Sequence, residues 1–112
     1  MQKYLVYYSD IDKVKRRVRA TGSGEDTYLA ELQAEADAII DNVLKKYTTV
    51  PLTSVPEIIK QIATDLTAGI YLENQFGKPH ILKVRAELNL ERYIRTTWLD
   101  ALYQRSPPEI QE

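Results

Sequence analysis

Apolar side chains recur along most of this chain with the spacing of amphipathic α-helices. Between residues 26 and 46 they fall within one arc when each residue advances by about 100° around the axis. Similar patterns predict helices at about 9–20, 56–74 and 80–105. The sequence therefore predicts an all-α fold, a small bundle of about four helices in one domain, 1–112.

Capping residues indicate where these helices begin and end. Ser9 is a suitable N-cap for the first helix, and the glycines of TGSGED (21–26) end it. Ser23 and Asp26 have the spacing of a capping box before the second helix. Pro56 suits the first position of the third helix, because its missing N–H would have no partner there.

The two ends of the chain differ from its helical middle. Residues 1–8 contain aromatic and β-branched side chains, which are typical of a short strand or an extended arm. A single short strand needs a partner edge, which a neighbouring copy could supply. Residues 106–112, SPPEIQE, stop the last helix and form a flexible polar tail.

A proline-containing connector, KKYTTVPLTSVP, separates the second and third helices at 45–56. Pro51 and Pro56 favour extended backbone around them. Because such a segment is restricted before it binds, it can contact a neighbouring subunit at low entropic cost. An ordinary crossover folded over the core is the alternative. The interface candidates in this connector are Tyr47, Thr49, Pro51 and Leu52.

The last predicted helix carries more apolar surface than one core requires, since a core-facing stripe needs roughly 100° of the circumference. One stripe comprises Ile81, Val84, Leu88, Leu99 and Leu102. A second, offset stripe comprises Leu90, Ile94, Trp98 and Ala101. We expect the surplus to contact a larger bundle or another copy. The interface candidates on this helix are Leu90, Ile94 and Trp98.

The net charge of −1 conceals an uneven distribution. Residues 1–20 contain six bases and two acids, whereas residues 21–44 contain six acids and no base. The two segments pair within the monomer, pair between identical copies, or are simply two solvated faces. The candidates for contacts between copies are Lys15, Arg16, Arg19, Glu31 and Glu35.

Composition narrows the class of protein. The chain has no cysteine, so disulfides, thiolate nucleophiles and cysteine-type zinc sites are excluded. No apolar run approaches the roughly 18 residues needed to span a membrane. The N-terminal MQKYLVYYSD is too short and too polar for a signal peptide. We therefore expect a soluble intracellular or particle-associated protein.

Few residues have the pattern of a catalytic or metal site. His80 is the only histidine and is expected at the surface or in a helix cap. Asp65 lies at the margin of an apolar stripe, where a structural bond to an arginine or to backbone is expected. Asp37 and Asp41 are one helical turn apart, on the polar side of their helix. We expect neither enzymatic activity nor a cofactor.

The middle of the chain has a recognisable order of motifs. A helix with the pattern Ala-x-x-x-Ile-Asp precedes a connector with tyrosine and Pro-Leu. Val-Pro follows, and then a helix with Ala-x-Asp-Leu. These positions are Ala36, Ile40, Asp41, Tyr47, Pro51, Leu52, Val55, Pro56, Ala63, Asp65 and Leu66. Residues 34–74 thereby resemble head–tail connector (adaptor) proteins of tailed bacteriophages, including the group typified by a phage Mu head-region protein.

The resemblance implies a structural virion protein with no catalytic activity. Copies of it would form a ring, commonly dodecameric, between the portal protein and the tail or a stopper or terminator protein. Phage DNA would pass through the central channel without sequence-specific binding. The implied location is the neck of the virion, and the host cytoplasm during assembly; no membrane is involved.

Two other functions are compatible with the residues alone. The basic segment KVKRRVR at 13–19 could contact DNA phosphates, as in a small helical DNA-binding regulator. A small enzyme would have to use Asp65 and His80. The valines of 13–19 have the spacing of core contacts, which favours a merely solvated basic face.

Overall fold

The computed structural model describes residues 7–100, and their fold is all-α. Four α-helices follow one another, and these residues contain no strand. Their bounds are α1 (Ile11–Val18), α2 (Asp26–Leu44), α3 (Glu57–Phe76) and α4 (Ile81–Ile94). A π-helical turn, Arg95–Leu99, continues α4. The predicted small bundle of four helices is confirmed.

Helix α3 is the centre of the bundle and packs against the three other helices. Its buried side chains therefore occupy most of its circumference, and they include polar ones. The fully buried Thr67 donates its hydroxyl to the carbonyl oxygen of Ala63 at 2.8 Å. This bond satisfies a hydroxyl that would otherwise be costly to bury.

Helices α3 and α4 approach closely at Gly69. A Cβ atom at this position would lie 2.5 Å from the backbone nitrogen of Lys83, so only glycine fits without moving α4. Ala68 and Ala86 are also fully buried. Small side chains thus bring the two backbones together and fix which side of α4 faces the core.

The N-cap of the first helix lies one residue later than the sequence predicts. Asp10 is the N-cap, and its carboxylate accepts from the N–H of Asp12 at 2.9 Å. Ser9 instead is buried and bonds to Gln33 of α2. The helix ends at Val18, and its C-cap is Arg19, whose φ of 62° is left-handed, so the predicted termination by the glycines of 21–26 is wrong.

The caps of the other helices use different groups. The predicted capping box of α2 is wrong, because the Asp26 carboxylate contacts Lys15 of α1 at 2.7 Å. Pro56 is the N-cap of α3 and not its first helical residue. His80 caps α4 by accepting from the N–H of Leu82 at 3.1 Å on its Nδ1, which confirms a capping role.

The ends of the chain, residues 1–6 and 101–112, lie outside the described part. The predicted tail and the predicted extension of α4 to about 105 fall there. None of the helices within 7–100 has the length and apolar character required to cross a lipid bilayer.

Candidate assembly interface

Helix α4 carries an apolar face that the monomer leaves exposed to water. Ile81, Val84 and Leu88 are spaced three and four residues apart and are 60%, 41% and 55% exposed. The opposite side of α4 packs against α3 through Ala86 and Leu90. One helix therefore contributes both to the core and to a surface suited to a partner.

The exposed face of α4 borders a groove between α2 and α4. Its volume is about 460 Å³. Ile39 and Val43 of α2 form one wall, and Glu87 and Glu91 of α4 are its only charged lining residues. The remaining lining residues are Val84, Leu88, Leu90 and Ile94. We refer to these eight residues as the α2–α4 groove.

The structure corrects the assignment of the two stripes on α4. Leu90 and Ile94, which the sequence predicts at an interface, are only 5% and 7% exposed and belong to the core of the monomer. The first stripe, with Leu88, faces outward instead. The pattern could not distinguish the stripes, because both have helical spacing and only the close contact at Gly69 orients α4.

The connector does not project freely from the bundle as predicted. Leu52 is half-buried against the core, and its N–H donates to the Tyr8 hydroxyl at 2.8 Å. Tyr47 stacks on Trp98 with ring centroids 5.3 Å apart, so both half-buried rings contact each other within the monomer. Thr49 is exposed, as is Pro51. The connector is thus a crossover folded over the core, with an exposed outer edge.

Tyr8 joins three parts of the fold. Its backbone N–H donates to Asp37 at 3.0 Å, and its hydroxyl donates to Asp41 at 2.6 Å. The same hydroxyl accepts from the N–H of Leu52. Tyr8 is therefore not part of a free arm, and these two aspartates do not lie on a fully solvated face. We call Tyr8, Asp37, Asp41 and Leu52 the Tyr8 clasp.

Burial in the Tyr8 clasp changes the acidity of its groups. Burial raises the pKa of Asp37 from 3.8 to about 6, and the charge of Asp41 adds to this, whereas the bond from the Tyr8 N–H opposes it. Burial and the bond to Asp41 raise the pKa of Tyr8 to about 12. One oxygen of Asp37, Oδ1, has no hydrogen-bond partner among the described residues.

The basic and acidic segments pair partly within the monomer. Lys15, an interface candidate, contacts Asp26 at 2.7 Å. Arg17 contacts Asp65 at 2.6 Å, which gives this carboxylate at the core margin a donor. The candidates that remain exposed, and that form no ion pair within residues 7–100, are Arg16, Arg19, Glu31 and Glu35.

The relation of the whole chain to known proteins follows from one match. The family model described as "Bacteriophage Mu, Gp36" matches residues 6–102. The chain belongs to this family. It is thus a bacteriophage protein of the Mu type. No curated protein and no solved structure matches it.

In this member of the Gp36 family, the two residues considered for an enzyme serve separate structural contacts. Asp65 pairs with Arg17, whereas His80 caps α4 and donates its backbone N–H to Glu73 at 3.1 Å. Lys83 also contacts Glu73, at 3.3 Å. Within residues 7–100 no group of three or more histidine or acidic side chains is arranged to hold a metal ion.

Two structural features of this Gp36-family chain escaped the sequence predictions. The buried Gln33 amide donates to the carbonyl oxygen of Ser9 at 3.1 Å and to its hydroxyl at 2.9 Å. A glutamine among the apolar positions of α2 was the available signal, because a buried amide needs partners. Gly69 in the interior of α3 was a second signal, since glycine disfavours helix unless the packing requires it.

Proposed function

We propose that this protein is a structural virion protein, a head–tail adaptor that assembles into a ring between the portal protein and the tail. Its membership of the Bacteriophage Mu, Gp36 family supports a role in a phage particle. The observation that carries the proposal is the apolar face of α4, with Ile81, Val84 and Leu88 exposed in the monomer. Another copy burying this face would gain apolar contact area.

Ring formation requires a heterologous contact, in which one surface of each copy meets a different surface of the next. The exposed bases Arg16 of α1 and Arg19, its C-cap, are suited to such a contact, as are the exposed acids Glu31 and Glu35 on α2. Complementary charge mainly guides the encounter and fixes the register. The apolar face of α4 then contributes most of the affinity.

The proposed partners are copies of this chain, the portal protein, and a tail, stopper or terminator protein. Phage DNA passes through the ring without sequence-specific contacts. This role needs neither catalysis nor a cofactor, and the protein would occupy the neck of the virion after assembly in the host cytoplasm.

Two measurements test the proposal. Purified protein should change from small species to rings as its concentration rises, as seen by light scattering and negative-stain microscopy. Gold-labelled antibodies against it should bind phage particles at the head–tail junction. A label spread over the capsid shell, or a protein missing from purified particles, would refute the adaptor role.

The same preparation distinguishes the DNA-binding alternative. A regulator using residues 13–19 should bind duplex DNA tightly without forming rings, and its affinity should fall steeply with salt. The ion pairs of Lys15 and Arg17 leave Lys13, Arg16 and Arg19 for phosphate contacts. We therefore expect only weak DNA binding that depends on salt but not on sequence.

A further inference from the structure

We propose that residues 1–6 of one copy, MQKYLV, occupy the α2–α4 groove of the next copy. This inference rests on the proposed assembly of copies and specifies one of its contacts. It assigns an occupant to a groove that the described residues leave open.

The groove requires an occupant with apolar side chains and positive charge. Its walls are aliphatic, and its only charged lining residues are the two acids Glu87 and Glu91. A volume of about 460 Å³ can hold a few side chains of a peptide. A segment that combines bulky apolar residues with a base could pack against the aliphatic walls and pair with one of the two glutamates.

Two segments of this chain lie outside the described part, and their charges differ. Residues 1–6 contain Tyr4, Leu5 and Val6, and Lys3 is their only charged side chain. Residues 101–112 contain one base and two acids, Arg105, Glu109 and Glu112. The two glutamates of the groove would attract residues 1–6, which carry a net positive charge, and repel residues 101–112, which carry a net negative charge.

The position of Tyr8 bears on which copy's groove residues 1–6 can reach. Tyr8 is bound by Asp37 and Asp41. The groove is lined by Ile39 and Val43, each two residues further along α2. At about 100° per residue, the two pairs lie about 200° apart around the helix. Tyr7 lines a different pocket, beside the end of the connector. Tyr8 therefore lies on the side of α2 that faces away from the groove of its own chain.

This geometry favours a neighbouring copy over the same chain. Six extended residues span at most about 20 Å. The path half-way around a helix about 10–12 Å in diameter uses roughly 17 Å of that reach. Little of residues 1–6 would remain to fill the groove of the same chain. Donor and acceptor surfaces on opposite sides of α2 are also what a head-to-tail contact needs.

A peptide experiment tests the groove directly. A variant lacking residues 2–6 keeps every described contact, so it should fold and leave its groove accessible. Fluorescently labelled MQKYLV should bind it saturably. Leu88→Glu should weaken this binding by roughly ten-fold or more, because it puts an acid among aliphatic walls. The matched variant Phe76→Glu changes an equally large exposed residue outside the lining and should leave binding unchanged.

Charge provides a second test with the same peptide. Lys3→Glu in the peptide should weaken binding, and added salt should reduce the difference between the two peptides. Equal binding to the Leu88→Glu and Phe76→Glu proteins would overturn the proposal. Stronger binding by a peptide of residues 101–112 would overturn it as well, by assigning the groove to the other end of the chain.

Mixing two variants tests whether the contact joins different copies. The variant lacking residues 2–6 has a groove but no inserting segment, and full-length Leu88→Glu has the segment but a damaged groove. Neither should assemble alone, whereas a mixture should give heterodimers and nothing larger. If the groove is filled within one chain, the mixture will remain monomeric and the proposal will be wrong.

The outcome can be separated from that of the proposed function. If the variant lacking residues 2–6 still forms the rings of the full chain, the groove contact is wrong and the adaptor role stands. If MQKYLV binds the groove but labelled phage particles carry no protein at the neck, the groove contact is supported and the adaptor role fails.

Discussion

The two sides of α2 differ in what they bury and in what they leave exposed. On one side, Asp37 and Asp41 bind Tyr8 in a contact completed within the chain. On the other side, Ile39 and Val43 line an open apolar groove beside α4. Within one helix, these two aspartates have partners in the monomer, apart from Oδ1 of Asp37, whereas part of the apolar surface remains exposed.

The difference follows from the nature of the two kinds of contact. A buried donor or acceptor needs a partner with defined distance and direction, so a fold that buries it must also supply that partner. Apolar contact is non-directional and can be completed later by any complementary surface. Exposed apolar area is thus better evidence for assembly than the buried polar contacts are.

The largest expected effect distinguishes the buried side of α4 from its exposed side. Leu90→Ala should lower the free energy of unfolding by about 2–5 kcal/mol, because it leaves a cavity in the core between α3 and α4. Leu88→Ala, two residues away, should change it by less than about 0.5 kcal/mol. Urea denaturation of dilute protein measures both, since dilution removes the stabilisation that assembly would add.

Equal losses of stability in these two variants would contradict the orientation of α4. Leu88 would then face the interior, and the exposed face on which the adaptor role rests would disappear.

The next largest effect concerns the Tyr8 clasp. Tyr8→Phe removes the donor to Asp41 and the acceptor for the Leu52 N–H, so it should destabilise the protein by about 1–3 kcal/mol. The neighbouring Tyr7→Phe is the matched control and should have an effect below about 0.5 kcal/mol. Thermal unfolding of both variants compares them. A neutral Tyr8→Phe would mean that the clasp is not formed in solution.

The pH dependence of stability provides a finer test of the same contact. The pKa of Asp37 is about 6 in the folded protein against 3.8 ordinarily, so the folded state holds this proton more tightly. The contribution of Asp37 to stability should therefore be present at low pH and be lost as pH rises from about 4 to about 6.

Asp37→Asn isolates that contribution. The difference in unfolding free energy between wild type and Asp37→Asn should shift against the wild type as pH rises from about 4 to about 6, and then level off. Denaturant titrations at several pH values measure it. A constant difference across this interval would show that Asp37 keeps its ordinary pKa, and that the clasp is more hydrated than its burial indicates.

The smallest expected effect per residue is the loss of assembly when exposed charges of α1 and its C-cap are reversed. Arg16→Glu with Arg19→Glu should weaken assembly and leave monomer melting unchanged, since exposed pairs contribute only about 0.2–1 kcal/mol each. Adding Glu31→Arg and Glu35→Arg should restore assembly if these faces meet. Light scattering measures the extent of assembly.

Lys45→Glu with Lys46→Glu provides a matched control for the charge reversal, because both lysines are exposed and lie outside α1. If the fourfold variant assembles no better than the twofold one, the charged faces contact something other than each other.

The apolar pattern of the sequence correctly predicted that the elements are helices, but it did not predict which side of each helix faces the core. The start of α2 at Asp26 and the all-α fold followed from the spacing of apolar residues. Leu90, predicted at an interface, is mostly buried in the core and also lines the α2–α4 groove. The sequence could not predict this burial, because two stripes on one helix have equivalent spacing. The predicted projecting connector was wrong for a related reason: prolines restrict the backbone of a segment, but they do not determine what it packs against.

Within the candidate interface, the sequence indicated a surplus of apolar surface on α4 but not the residues that carry it. Trp98 and Tyr47 were singled out, yet their mutual stacking could not be predicted from positions 51 residues apart. The hydrogen bonds of Tyr8 to Asp37 and Asp41, which join the N-terminal region to α2, could not be predicted either. Such contacts depend on which helices become neighbours.

The sequence by itself determined that this chain forms amphipathic helices, where they approximately lie, and that their apolar area exceeds what one core needs. Local backbone preferences and periodicity suffice for those properties. Only the tertiary structure decided which side of α4 is buried and which aspartates are withdrawn from water. Both depend on how closely α3 and α4 approach at Gly69 and on where Tyr8 inserts, and these are contacts between residues distant in the chain.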